Sequence, residues 1–148
     1  KLGVQYVISQ ESYAYKNTNA NQYKKICLND EDRTYKEIIY NLNDKKLTLN
    51  YSEQYTATFI KQEGTYTYNS KGQLTSAIYK TNTNGDIEIK RTYEYDANDC
   101  LLNEKQYKAG ELLKEISYVT DANKKLTSYI IRDANNKSMR IVKLIYKY

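Results

Sequence analysis

The sequence predicts an all-β protein, an antiparallel meander of repeated hairpins that forms a curved single sheet or an open barrel. A tyrosine-rich hairpin motif returns at regular spacing, and segments rich in β-favouring residues alternate with turn residues. Proline, which would remove ladder hydrogen bonds, is absent from the 148 residues. A strand and its turn take roughly 12 residues, so we expect about ten to twelve strands in a single domain over 1–148.

The motif is Tyr-Xaa-Tyr, an Asp or Asn that starts a turn, and a Leu. In three copies the turn residue and the Leu lie five positions apart: Asn69 and Leu74, Asp96 and Leu101, Asp121 and Leu126. The three turn residues are 27 and 25 positions apart. The clear repeats cover about 65–137, and 1–60 is divergent. A period of this length corresponds to two strands and two turns.

Residues 65–79 illustrate the local chemistry of one copy. The segment 65–68 alternates Thr and Tyr, Asn69 can bond forward to the backbone to start a turn, and Gly72 can adopt a positive φ. Strict alternation along each strand predicts that one face carries Tyr66, Tyr68, Leu74 and Ser76. It predicts that the other face carries Thr65, Thr67, Thr75, Ala77 and Tyr79.

Weaker copies flank the clear ones. Residues 39–47 resemble the motif with one extra turn residue, 131–137 keep the turn without the Leu, and 13–19 resemble a first copy with a longer loop. Turns at the other ends of the strands are predicted at Asn84-Gly85 and at 108–111, because Asn-Gly is a strong hairpin signal. Local propensity also allows helices at 31–40 and 99–108. The repeat register favours strand at 99–108, whereas a short helix near 31–37 stays open.

The motif resembles the YD repeats of RHS-type proteins, whose units read Tyr-Asp, two variable residues, Gly, a polar residue and Leu. Residues 68–74 carry this order, whereas Asp99 and Lys124 replace the family's Gly and Thr120 replaces its Tyr. The resemblance implies a β-ribbon and a bacterial secreted or cell-surface protein. The chain is too short to enclose cargo as the large RHS proteins do. A weaker resemblance is to bacterial MORN-like repeats, although only 5 Gly are present.

Composition narrows the classes of partner. The formal charge of +5 is spread along the chain without a basic cluster, which makes a nucleic-acid partner unlikely by composition. No segment has the roughly 20 apolar residues that a membrane-spanning helix needs. Cys27 and Cys100 form either one bridge or two small buried thiols, and we favour free thiols.

The sequence shows no constellation typical of an enzyme. Histidine is absent, which removes the commonest general base and metal ligand. The cluster Asp30-Glu31-Asp32 could hold a calcium ion, but a solvated turn explains it better. We therefore expect no catalytic residue, no cofactor and no metal site.

The 18 tyrosines carry the remaining functional signal. The candidate interaction surface consists of Tyr66, Tyr68, Tyr93, Tyr95 and Tyr118. These rings could stack on a glycan or dock a protein, because Tyr is enriched at interfaces. They could equally be cross-strand pairs that hold a thin sheet together, and recurrence at the repeat period favours this structural role.

These observations lead to a functional expectation. We expect a non-enzymatic interaction or structural module, extracellular or at the cell surface, as an accessory subunit of a larger bacterial assembly. Its expected partner is a protein, with a polysaccharide as the second class. The alternative function is a glycan-binding module that uses exposed Tyr faces, and the remote alternative is an enzyme.

Overall fold

In the part of the chain that the structure describes, the fold consists of eleven antiparallel strands, each hydrogen-bonded to its neighbours in the chain. The computed structural model describes residues 11–134 and 138–146. The strands are β1 Ser12–Asn19, β2 Gln22–Leu28, β3 Thr34–Leu42, β4 Thr48–Tyr55, β5 Lys61–Tyr68, β6 Leu74–Thr81, β7 Ile87–Tyr95, β8 Leu101–Lys108, β9 Glu111–Thr120, β10 Leu126–Asp133 and β11 Met139–Lys143. The predicted meander and strand number are confirmed. The sheet is not closed into a barrel, and β1 and β11 are the edges of the sheet among the described residues.

The predicted turns form through their Asx side chains. Asn69 Oδ1 accepts hydrogen bonds from the backbone N–H groups of Lys71 and Gln73, both at 3.0 Å. The same pair of bonds is made by the first residue of two further turns, Asp96 and Asp121. An Asx side chain thus supplies the acceptor that fixes each turn. These turns lie at one end of the sheet, which we call the Asx end.

The fourth residue of each turn adopts a left-handed backbone. Gly72 has a φ of 85°, as its sequence position predicts. Asp99 at 67° and Lys124 at 63° take the same conformation without being glycine. The turn geometry is therefore retained where the resemblance to the YD motif is weakest, at the cost of left-handed strain in a non-glycine residue.

In the first half of the chain the structure decides one open alternative and corrects one prediction. The helix near 31–37 does not form, because Asn29 starts another Asx turn and β3 begins at Thr34. The copy at 39–47 has no extra residue, because its turn starts at Asn43 and Leu42 pairs with Thr48. The cluster at 30–32 lies in the Asn29 turn. The copy proposed at 131–137 lies partly outside the described residues.

The predicted distribution of side chains over the two faces is also wrong. A β-bulge follows each Asx turn, and in β6 it places Thr75 and Ser76 together opposite Thr67. The alternation therefore shifts by one, so Ala77 pairs with Tyr66 and Tyr79 pairs with Gly64. Ser76 consequently leaves the face of Tyr66, while Ala77 and Tyr79 join it.

This shift places nearly all strand tyrosines on one face, which we call the tyrosine face. The strand pairings connect each tyrosine of the described strands except Tyr107 to this face. Its buried residues are small or aliphatic and lie beneath the rings: Cys27, Ile38, Gly64 and Ala77. The protein therefore has no core between two sheets among the described residues. Its hydrophobic contacts are made by one layer of tyrosine rings that covers small and aliphatic residues of the sheet.

Candidate functional site

The tyrosine face carries a continuous row of aromatic rings. Six rings, one from each of β1 to β6, lie with neighbouring centroids 4.7 to 6.4 Å apart: Tyr15, Tyr23, Tyr40, Tyr51, Tyr66 and Tyr79. Their interplanar angles range from 14° to 81°, so the rings alternate between stacked, tilted and edge-on packing. Such pairs each contribute about 0.5–1.5 kcal/mol beyond area burial.

One position in this row requires glycine. Gly64 lies in β5 beneath the Tyr51 ring, and a Cβ added there would clash with the ring, with Tyr51 Cδ1 only 2.7 Å away. The absence of a side chain on β5 lets the Tyr51 ring lie across the strand and reach Tyr66, with centroids 6.3 Å apart. Glycine inside a strand is otherwise unfavourable, so this close approach explains its presence.

Charged residues continue the row toward the C-terminal strands. The Arg91 guanidinium lies 5.9 Å from the Tyr79 ring centroid and 3.6 Å from Glu104 Oε1. Glu104 Oε2 accepts a hydrogen bond of 3.1 Å from the Tyr118 hydroxyl, and the Tyr118 ring contacts Tyr129 at 6.2 Å. The row of contacts therefore spans the sheet from β1 to β10.

The structure brings the five predicted interaction residues to this one face, and each is half-buried. Tyr66 packs between neighbouring rings, and Tyr93 lies opposite Glu104. The hydroxyls of Tyr68 and Tyr95 donate to backbone carbonyls of the preceding hairpin. The rings are neither coplanar nor fully exposed, which favours the structural use of these tyrosines over a flat stacking platform.

The environment of the rings alters their acidity. Burial raises the pKa of the Tyr66 and Tyr93 hydroxyls above the ordinary value. Burial together with the charge and hydrogen bond of Glu104 raises the pKa of Tyr118 to about 12. All three hydroxyls therefore stay protonated at neutral pH and act as neutral hydrogen-bonding groups.

The opposite face carries an exposed apolar cluster that the sequence did not single out. Val119, Met139 and Ile141 are 47%, 63% and 57% exposed, and Ile130 pairs with Ile141 across β10 and β11. We call these four residues the edge patch, because they lie on the last three strands of the sheet, β9 to β11, of which β11 is the edge. Only the strand register, with its bulges, reveals that these positions share a face.

Cysteines and clusters of residues that could bind a metal are few in the described part of the chain. No group of three Cys, Asp or Glu residues there is arranged to hold a metal ion. Cys27 and Cys100 are both free, as favoured from the sequence, and Cys27 is buried under the tyrosine face. None of the described segments is a helix that could span a bilayer.

Comparison with known proteins adds no assignment. No protein-family model matches the chain, and no curated protein is significantly similar to it.

Proposed function

We propose that this chain is a non-enzymatic structural and protein-binding module that binds a protein partner along its β11 edge. The observation that carries the proposal is the edge patch. Its Met139 and Ile141 are more than half exposed on a strand whose outer backbone groups have no ladder partner among the described residues. Clustered exposed apolar side chains are typical of protein interaction sites, and an open strand edge can accept an added strand.

The tyrosine face supports a division of roles between the two faces. Its rings and hydroxyls are occupied by contacts within the sheet, from the stacked Tyr23 and Tyr40 pair to the Tyr118 bond with Glu104. The opposite face carries exposed aliphatic side chains near the β11 edge, whereas the exposed Tyr13 and Tyr15 on β1 contact Lys25 and Tyr23 of the tyrosine face. We therefore place the partner on the edge patch and assign the tyrosine row to stability.

The proposed cellular location and assembly role follow from the resemblance to YD repeats. The resemblance implies a bacterial secreted or surface protein, and we propose an extracellular or surface location and an accessory role in a larger assembly. The retained turn geometry at Asp99 and Lys124 supports treating these divergent copies as the same structural unit.

Ile141→Lys and Phe59→Lys form a matched pair that tests the proposal. Phe59 is 95% exposed in the turn between β4 and β5, far along the sheet from β11. Native mass spectrometry and affinity capture from the source cells should find a specific protein complex with the wild type and with Phe59→Lys. The complex should be lost with Ile141→Lys. A chain that is monomeric and partnerless under all conditions would contradict the proposal.

A further inference from the structure

Three tyrosines at the Asx end make the same cross-hairpin hydrogen bond. The hydroxyl of Tyr68 donates to the Thr48 carbonyl at 2.8 Å, and that of Tyr95 donates to the Leu74 carbonyl at 3.0 Å. Tyr146, beyond β11, donates to the Leu126 carbonyl at 2.6 Å. Each ring therefore spans the gap between one hairpin and the next.

The accepting carbonyls occupy equivalent positions. Each belongs to the fifth residue after the start of an Asx turn, as Leu74 does relative to Asn69. Pairing with the next hairpin begins two residues later in β4 and in β6, at Asn50 and Ser76. The carbonyl of the fifth residue thus has no ladder partner on that side, and the tyrosine hydroxyl supplies the missing donor.

The hairpin of β9 and β10 lacks this tyrosine. Thr120 stands directly before the Asp121 turn, where Tyr68 and Tyr95 stand before theirs, and pairs with Leu126 as Tyr68 pairs with Leu74. The corresponding carbonyl belongs to Leu101, and pairing of β8 with β9 begins two residues later, at Asn103. A threonine is too short to bridge this gap.

A groove lies at this position. It has a volume of about 490 Å³, and its lining includes Cys100, Leu101, Tyr118, Thr120 and Leu126. Its walls are mainly apolar. A second groove lies beside Tyr68, but there the tyrosine ring itself forms part of the wall.

We propose that the groove beside Thr120 binds the phenol ring of a tyrosine side chain contributed by a partner protein. The occupant is inferred from the three equivalent gaps, where a phenol ring fills the space and its hydroxyl bonds the exposed carbonyl. The apolar walls suit the ring, and the Leu101 carbonyl suits the hydroxyl. This inference rests on the proposed protein-binding function and adds a second, chemically specific contact on the tyrosine face.

The test uses N-acetyltyrosinamide as the probe and N-acetylphenylalaninamide as its match without the hydroxyl. The tyrosine amide should bind the isolated chain with a dissociation constant on the order of 1 mM, as expected for one small ring. It should shift the NMR signals of Leu101 and Thr120 and slow the modification of Cys100 by a thiol reagent. The phenylalanine amide should bind about tenfold more weakly.

Variants distinguish the groove from other surfaces. Thr120→Tyr should fill the groove, raise the melting temperature and abolish binding of the tyrosine amide, whereas Thr120→Ser should retain binding. Tyr95→Thr should open an equivalent groove and create a second site near Leu74. Equal binding of both amides, binding that survives Thr120→Tyr, or no binding would overturn the inference.

Binding of free p-cresol distinguishes a site for small phenols from a site for the tyrosine side chain of a partner protein. Binding of p-cresol without binding of the tyrosine amide would show a site for small phenols and overturn the assignment to a partner's side chain. The measurement is made on the chain alone, so its failure leaves the edge-patch proposal intact. Loss of the complex in Ile141→Lys tests that proposal separately.

Discussion

The ring of Tyr51 lies across the backbone of Gly64 on the adjacent strand, so close that no Cβ can be accommodated between them. We expect Gly64→Ala to destabilise the protein by about 1–3 kcal/mol, because the added methyl group forces the ring out of the row. Urea unfolding measures the difference. In a Tyr51→Ala background the same substitution should be neutral or stabilising, and an equal loss in both backgrounds would contradict the steric explanation.

Removal of a single tyrosine hydroxyl tests how much the hydrogen bonds between hairpins contribute to stability. Tyr95→Phe removes the bond to the Leu74 carbonyl, and we expect a loss of about 1 kcal/mol in the free energy of unfolding. Tyr107→Phe is the control, because Tyr107 lies on the opposite face and its hydroxyl has no hydrogen bond to a described residue. Equal losses of stability for the two substitutions in chemical denaturation would contradict a stabilising role of the hydrogen bond from Tyr95 to Leu74.

Substitutions at two left-handed turn positions should change the stability of the protein in opposite directions. Asp32→Gly should stabilise the protein by about 0.5–1 kcal/mol, because Asp32 has a φ of 57° in the Asn29 turn. Gly72→Ala should destabilise it by a similar amount, because its φ is 85°. Thermal and urea unfolding of both variants provide the check. A destabilised Asp32→Gly would mean that the aspartate side chain contributes more than its backbone strain costs.

Alkaline conditions should weaken the tyrosine face. The folded pKa of Tyr118, about 12, exceeds the ordinary value of about 10. The stability that this protonated hydroxyl contributes is therefore fully present below about pH 10 and is lost as the pH rises through about 12. Urea midpoints across this range, followed with tyrosinate absorbance, should fall less steeply for Tyr118→Phe than for the wild type. Parallel curves would exclude a role for Tyr118.

The repeat of turn residues made the strand number and the turns at Asn69, Asp96 and Asp121 predictable. The turn at Asn29 was missed because a local helical propensity over 31–40 competed with it and no Tyr-Xaa-Tyr precedes it. Nothing in the composition of 29–33 distinguishes the two outcomes without the pairing of β2 with β3.

The candidate site was harder to predict than the fold. The five tyrosines lie on one face, but alternation alone put Tyr79 on the wrong face, because the bulge at Thr75 has no side-chain signature that distinguishes it from regular strand. Gly64 was the available clue, since a glycine within a strand often marks close approach. The edge patch depends on pairing between β9, β10 and β11, which the single sequence does not reveal.

The strand order has a consequence for how this chain folds and evolves. Each strand pairs only with its neighbours in sequence, so every contact between strands closes a short loop. Local closure favours rapid folding for a β protein, and assembly can propagate from any hairpin that forms first. The same nearest-neighbour arrangement lets gene duplication or deletion add or remove a two-strand unit without breaking the pairing elsewhere.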